Sequence, residues 1–191
     1  MKTVLTTLLA ICLCVPLVAD EKKKERFEKK KERFEKKKAA AEKGDARAQA
    51  SLGQLYSLGI GVEKNFKEAV KWFQKAADQG NALGQYNIGW HHSLGQGVEQ
   101  DYKEAAKWTH KSAEQGLALA QHNLGWMYYN NEVQGDDVTA YAWWNIAAAN
   151  GNKDAMVLKI TVAENKTAED ITKAEALVKE MIKKNPKLLK K

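Results

Sequence analysis

The 191-residue chain reads as an all-α stack of helix hairpins. Two observations predict this. One phrase is written three times: NFKEAVKWFQKAADQGNA from Asn65, DYKEAAKWTHKSAEQGLA from Asp101 and DDVTAYAWWNIAAANGNK from Asp136, at offsets of 36 and 35 residues. A period of about 20–50 residues marks stacked supersecondary units. Within each unit the apolar residues also recur at helical spacing: Ala48, Leu52 and Tyr56 at i, i+4, i+8, then Ala69, Trp72 and Ala76 at i, i+3, i+7.

Taken from the start, residues 1–19 read as a secretory signal. Met1-Lys2 is a short positive start, and Val4–Val15 is an apolar run of signal length, too short to span a bilayer. Pro16 breaks the run, and Ala19 offers a small residue for cleavage before Asp20. Two alternatives stand beside this, an uncleaved anchor and lipidation at Cys12, although Ile11 departs from the small residue that lipoprotein signals carry there. Cys12 and Cys14 are the chain's two cysteines. A mature chain from Asp20 would have none, which suits an oxidising compartment without a disulfide. The expected location is the periplasm or outside the cell.

Residues 20–45 form an expected charged helix. KKKERFE, KKKERFE and KKKAAAE repeat with a period of seven, placing Phe27, Phe34 and Ala41 on a thin apolar line. Glu25–Lys29 and Glu32–Lys36 are i,i+4 pairs of the favourable orientation. The expectation is a solvated helix that caps the stack. Coiled-coil dimerisation is the alternative, with two aromatic rungs where a sustained seam takes about three or four heptads. Asp20–Lys43 holds 12 basic and 7 acidic residues, Gly44–Asn152 holds 8 and 11, and Lys153–Lys191 holds 10 and 6. The basicity thus sits at the two ends. That argues against a nucleic-acid face on the repeats and allows weak contact of 22–43 with an anionic surface.

The units are 46–81, 82–117 and 118–152. Leu52-Gly53, Ile88-Gly89 and Leu124-Gly125 align, as do Trp72, Trp108 and Trp143, which read as core. A glycine inside a helix costs up to about 1 kcal/mol against alanine. Its recurrence at 53, 89 and 125 implies close approach of the partner helix. Gly59 and Gly61, repeated as Gly95 and Gly97, fit a helix stop and turn. Asn65 and Asp101 read as N-caps, with Glu68 and Glu104 in capping-box positions. The third loop, YYNNEVQGDD, lacks the paired glycines.

Residues 153–185 read as capping helices: a first helix of a truncated unit, then a helix from Thr167 to about Lys184. Ile171, Ala174, Leu177, Val178 and Met181 form its apolar stripe, expected to cover the open end of the stack. A basic tail, 186–191, follows.

These residues resemble Sel1-like repeats. ARAQASLGQLYSLGIGV followed by KEAVKWFQKAADQGN carries the pattern in the first unit, and GVEQDYKEAAKWTHKSAEQG in the second. The resemblance implies a right-handed α/α superhelix related to tetratricopeptide repeats and used mostly as a protein-binding adaptor, with many exported bacterial members. A cysteine-rich branch of the family is linked to β-lactam or peptidoglycan binding and weak β-lactamase activity. That reading is the alternative, but it relies on cysteines the mature chain would lack, and Ser51, Ser57, Ser93 and Ser112 all fail the S-x-x-K signature.

No catalytic constellation is recognisable, so no enzyme, metal or cofactor is expected. His91 and His92 are adjacent and point apart on a helix. Function is expected at a surface, where a protein or peptide would bind a monomer. In the second unit Leu83, Tyr86, Asn87 and Trp90 fall at i, i+3, i+4, i+7, and Leu119, His122, Asn123 and Trp126 align with them in the third. In the first unit the same places hold Arg47, Ala50, Ser51 and Gln54. The expectation is an aromatic–amide groove on the concave face. The alternative leaves Trp90 and Trp126 packed between helices.

Overall fold

The computed structural model describes residues 2–134 and 136–189, with side chains from Glu21 onward. The leader expected over 1–19 lies outside the described side chains. Among the described residues the chain is all helical: α1 Lys2–Glu42, α2 Ala46–Leu58, α3 Phe66–Asp78, α4 Ala82–Leu94, α5 Tyr102–Ala113, α6 Ala118–Tyr129, α7 Asp137–Ala149, α8 Lys153–Ala163 and α9 Ala168–Lys184, then a 3₁₀ turn at Pro186–Leu188. Among the residues described with their side chains, from Glu21 onward, no helix is long and apolar enough to cross a membrane.

Helix starts follow the side chains that can satisfy free N–H groups. Asn65 Oδ1 accepts from the Glu68 N–H at 3.1 Å, and Asp101 Oδ1 from the N–H groups of Lys103 and Glu104 at 2.8 and 3.0 Å. The capping box is half formed. The N–H groups of Asn65 and Asp101 donate to the carbonyls of Tyr56 and His92, at 2.9 and 3.1 Å, which ties each second helix to the end of the first. Glu68 and Glu104 pair instead with Lys71 and Lys107.

Each pair of helices is held by contacts that only small residues permit. A Cβ on Gly53 would lie 2.7 Å from the Phe73 ring, and one on Gly89 2.7 Å from Thr109 Oγ1; one on Gly125 would meet the Trp144 indole. The interhelical approach inferred from sequence is therefore real. The unusual third loop is resolved by Asn131, whose φ of 56° takes the place of Gly95; asparagine tolerates that left-handed region.

The glutamines at 49, 85 and 121 form a ladder the sequence reading overlooked. Each is buried. Their amides donate to the carbonyls of Ala41, Ala77 and Ala113, at 3.1, 3.4 and 3.1 Å. Their carbonyl oxygens accept from Gln79, Gln115 and Asn150, at 2.6, 2.7 and 2.8 Å. Each rung thus joins three successive helices and leaves no polar face of the amide idle.

The ladder shows what α1 is. It presents the Ala41 carbonyl to Gln49 as α3 presents Ala77 to Gln85. A side chain on Gly61 would strike the Lys30 carbonyl, as one on Gly97 would strike that of Phe66. α1 therefore occupies the place of a second helix in a unit before the first. Phe34 and Ala41 are buried, whereas Phe27 is 57% exposed.

At the other end the expectation is corrected. α8 starts on Asn152, whose Oδ1 accepts from the Ala155 N–H at 2.7 Å, and it stacks on α7 as a first helix should. α9 begins at Thr167 as expected. Its stripe does not cover α8: α9 packs along α7, and Val178, Met181 and Leu188 join the cluster around Trp143 and Ile146. The Leu188 carbonyl accepts from Gln121 and Asn150, at 2.9 and 2.6 Å. Those bonds draw the chain end back over the third unit, so α8 remains the outermost layer.

Candidate functional site

The first helices of units two and three, α4 and α6, flank a cavity of about 510 Å³. At its floor one aligned position differs from the other two units. Phe73 fills the space under Gly53 and Trp144 the space under Gly125, but unit two has Thr109 under Gly89. Gly89 and Thr109, in contact as close as that of Gly53 and Phe73, form the floor of the cavity. Trp90, Asn123 and Trp126 form walls, with Tyr102 at the start of α5 and Glu132 in the loop between α6 and α7 beside them.

Both walls expose aromatic surface: Trp90 is 43% exposed and Trp126 36%. Trp126 is also braced. Its N–H donates to His122 Nε2 at 3.1 Å, and its ring meets those of Trp144 and Tyr129 edge-on at 5.5 and 5.8 Å. Trp144 is fully buried and donates its own N–H to the His122 carbonyl at 3.2 Å. The core reading of Trp72, Trp108 and Trp143 holds, since all three are buried.

Of the eight residues expected to bind a partner, Trp90, His122, Asn123 and Trp126 line the cavity. Tyr86 adjoins it, its hydroxyl accepting from Asn123 Nδ2 at 3.4 Å. Leu83 and Leu119 are exposed on the same helices but outside the cavity wall. Asn87 is turned onto its own helix, where its amide donates to the Leu83 carbonyl at 2.7 Å. The sequence reading missed Thr109, Tyr102, Met127 and Glu132. The signal for Thr109 was present, as the small member of an otherwise aromatic aligned set.

The wall contains no lysine or arginine. Burial pushes the His122 imidazole below its ordinary value, partly offset by Asp154. Burial raises the Glu132 carboxyl, opposed by a hydrogen bond with Asn130. The cavity therefore offers aromatic surface, amides and one partly desolvated carboxylate. Two other histidines are tied inside the stack. His91 Nδ1 meets the Gln96 carbonyl at 2.7 Å, and His110 Nε2 meets the Tyr128 hydroxyl at 2.8 Å. Among the described residues no group of three or more His, Cys, Asp or Glu side chains could hold a metal ion.

Comparisons with known proteins agree with this architecture. The Sel1 repeat family model matches at 46–81, 82–117 and 118–152. Among solved structures, a protective antigen present in uropathogenic Escherichia coli strains and displaying an SLR fold is 39% identical. Its TM-score is 0.74 over 81% of this chain and 34% of that one. A Sel1 repeat protein from Oxalobacter formigenes is 34% identical, with a TM-score of 0.64 over 68% of this chain and 54% of that one. The chain thus spans about a third of the first and about half of the second. A comparison with curated proteins gives no match. With all three units matched across residues 46–152, the chain belongs to the Sel1 repeat family.

Proposed function

We propose that the chain is an exported adaptor whose α4–α6 groove holds a segment of a partner protein. Sel1 repeats are generally protein–protein interaction modules, and the leader-like residues 1–19 motivate export. The observation that carries the binding site is the open cavity floored by Gly89 and Thr109 and walled by two exposed tryptophans. Tryptophans beside a desolvated floor suit hot-spot anchoring, where truncating one side chain costs about 2 kcal/mol or more. The amides of Asn123 and Asn130 suit a peptide backbone, and Glu132 suits a basic side chain on the partner.

The test is in-cell crosslinking followed by pull-down. It compares the wild type with Trp90→Ala/Trp126→Ala and with Thr109→Phe, which copies the first unit's filling of the floor. Both variants should lose the same defined partner, with binding at least about thirtyfold weaker and helicity by circular dichroism unchanged. An unchanged partner list for both variants would move the site elsewhere on the solenoid. The intact mass of the exported protein tests the other half: a chain beginning at Asp20 is expected.

A further inference from the structure

α8 is a first helix without a second helix of its own, because α9 packs on α7. Ala155, Leu158 and Val162 turn inward onto the cluster of Trp144 and Ala147. The opposite stripe consists of Lys153, Val157, Ile160 and Glu164, all exposed, with Val157 at 63% and Ile160 at 59%. Met156, also exposed, flanks it. The spacing of four, three and four residues keeps the stripe on one line along the helix, as in a two-helix seam. Solvated faces are normally polar, so two β-branched apolar residues at its centre call for a cover.

The order of the stripe says what the cover is. Read backwards, Lys-Val-Ile-Glu becomes Glu-Ile-Val-Lys. Against an antiparallel copy, with a two-fold axis passing between Leu158 and Lys159, Val157 falls on Ile160 of the second copy. Lys153 then falls opposite Glu164 of the second copy, and symmetry repeats both pairs. A parallel arrangement would set lysine against lysine and glutamate against glutamate. The geometry points to a second copy of this chain as the occupant, docked α8 to α8 across an isologous two-fold interface.

The far end of the stack offers no competing seat. On α1 the positions aligned with Ala69, Trp72 and Phe73 hold Arg33, Lys36 and Lys37. Covering them with the apolar stripe of α8 would bury unpaired cations. Head-to-tail chains are thereby disfavoured and a closed dimer remains. One helix pair buries less than the roughly 1,600 Å² of a standard interface, so the dimer is a reversible one with a dissociation constant in the micromolar range. This proposal departs from the monomer expected from the sequence.

The experiment is sedimentation velocity of the full chain from about 1 µM to about 1 mM, a range that brackets such affinities. The wild type should pass from monomer to dimer. Ile160→Glu should shift the midpoint at least tenfold upward with helicity retained. Lys153→Glu alone should weaken the dimer, and Lys153→Glu/Glu164→Lys should restore it, since the swap rebuilds both pairs. A wild type that stays monomeric across the range overturns the proposal. So does a dimer indifferent to Ile160→Glu, a double swap that fails to rescue, or a dimer lost through Phe27→Ala, which would place the seam on α1.

Discussion

The two ends of the stack meet the same problem with opposite chemistry. At the N-terminal end α1 stands in for a missing second helix. It buries Phe34 and Ala41 against α2, supplies the Ala41 carbonyl to Gln49, and leaves most of its lysines exposed. At the C-terminal end α8 supplies a first helix, but the helix that should pair with it is bound elsewhere. What remains exposed is Met156, Val157 and Ile160. One end is finished by charge and the other is left apolar. The difference teaches that a solenoid end need not be capped by more solenoid: a helix in the right register closes it, and a helix in the wrong place leaves it open.

The largest effect should come from breaking the closed end. Phe34 packs with Leu52, Leu55 and Trp72 and meets Tyr56 edge-on at 5.3 Å. Phe34→Ala should cost about 3–5 kcal/mol, the usual range for removing a buried aromatic. Phe27→Ala, one heptad earlier on exposed surface, should leave the unfolding midpoint unchanged. Chemical denaturation of the two variants separates them. Equal losses would mean that the whole heptad line, rather than its C-terminal part, closes the stack.

The contrast also marks what the sequence could show. Unit boundaries, helix starts at Asn65, Asp101 and Thr167, and close packing at Gly53, Gly89 and Gly125 were all legible, because each depends on local chemistry repeated at a fixed spacing. The role of α1 was legible but masked. Ala40-Ala41, Gly44-Asp45-Ala46 and Gln49 repeat Ala76-Ala77, Gly80-Asn81-Ala82 and Gln85. The heptads of lysine and glutamate drew attention to another period. The groove was half legible: exposed aromatics advertise themselves, whereas its floor is marked by one small side chain, Thr109. The docking of α9 was not legible. It rests on hydrogen bonds such as Gln121 to Leu188, 67 residues apart, for which no local pattern exists.

A middle-sized effect tests that long-range tie. Gln121 holds both the Ala113 and Leu188 carbonyls, while Gln49, its counterpart at the closed end, holds only the Ala41 carbonyl through its amide. Gln121→Leu should cost about 1–3 kcal/mol for the buried hydrogen bonds lost to Ala113, Leu188 and Asn150. It should also speed hydrogen exchange across α9 and Pro186–Leu188. Gln49→Leu should leave exchange in α9 unchanged. Protection of α9 that survives Gln121→Leu would mean that Val178 and Met181 suffice to hold the helix on α7.

The smallest effect is a dependence on pH, and it too divides the ends. His110 sits between α6 and α7, its ring edge-on to Tyr128 and Trp143 at 5.9 and 5.7 Å. The aligned place in unit one is Gln74, which bonds Asp78 on the surface. Burial holds the His110 imidazole below its ordinary value, with Glu114 pulling the other way. A group whose folded pKa is depressed takes up its proton more readily when unfolded. As pH falls from about 7 through the ordinary histidine value near 6.5, the unfolded chain gains protons that the fold resists. Stability is therefore full above that value and declines below it, by at most about 1.4 kcal/mol per pH unit for one histidine. His91 and His122 shift in the same direction, so His110→Gln should shallow the slope without flattening it. The expected readout is an unfolding midpoint that varies less between about pH 7 and 5 in the variant than in the wild type. An identical slope would place the acid sensitivity at His91, against Phe66 and Phe73 near the closed end, or at His122 beneath the groove.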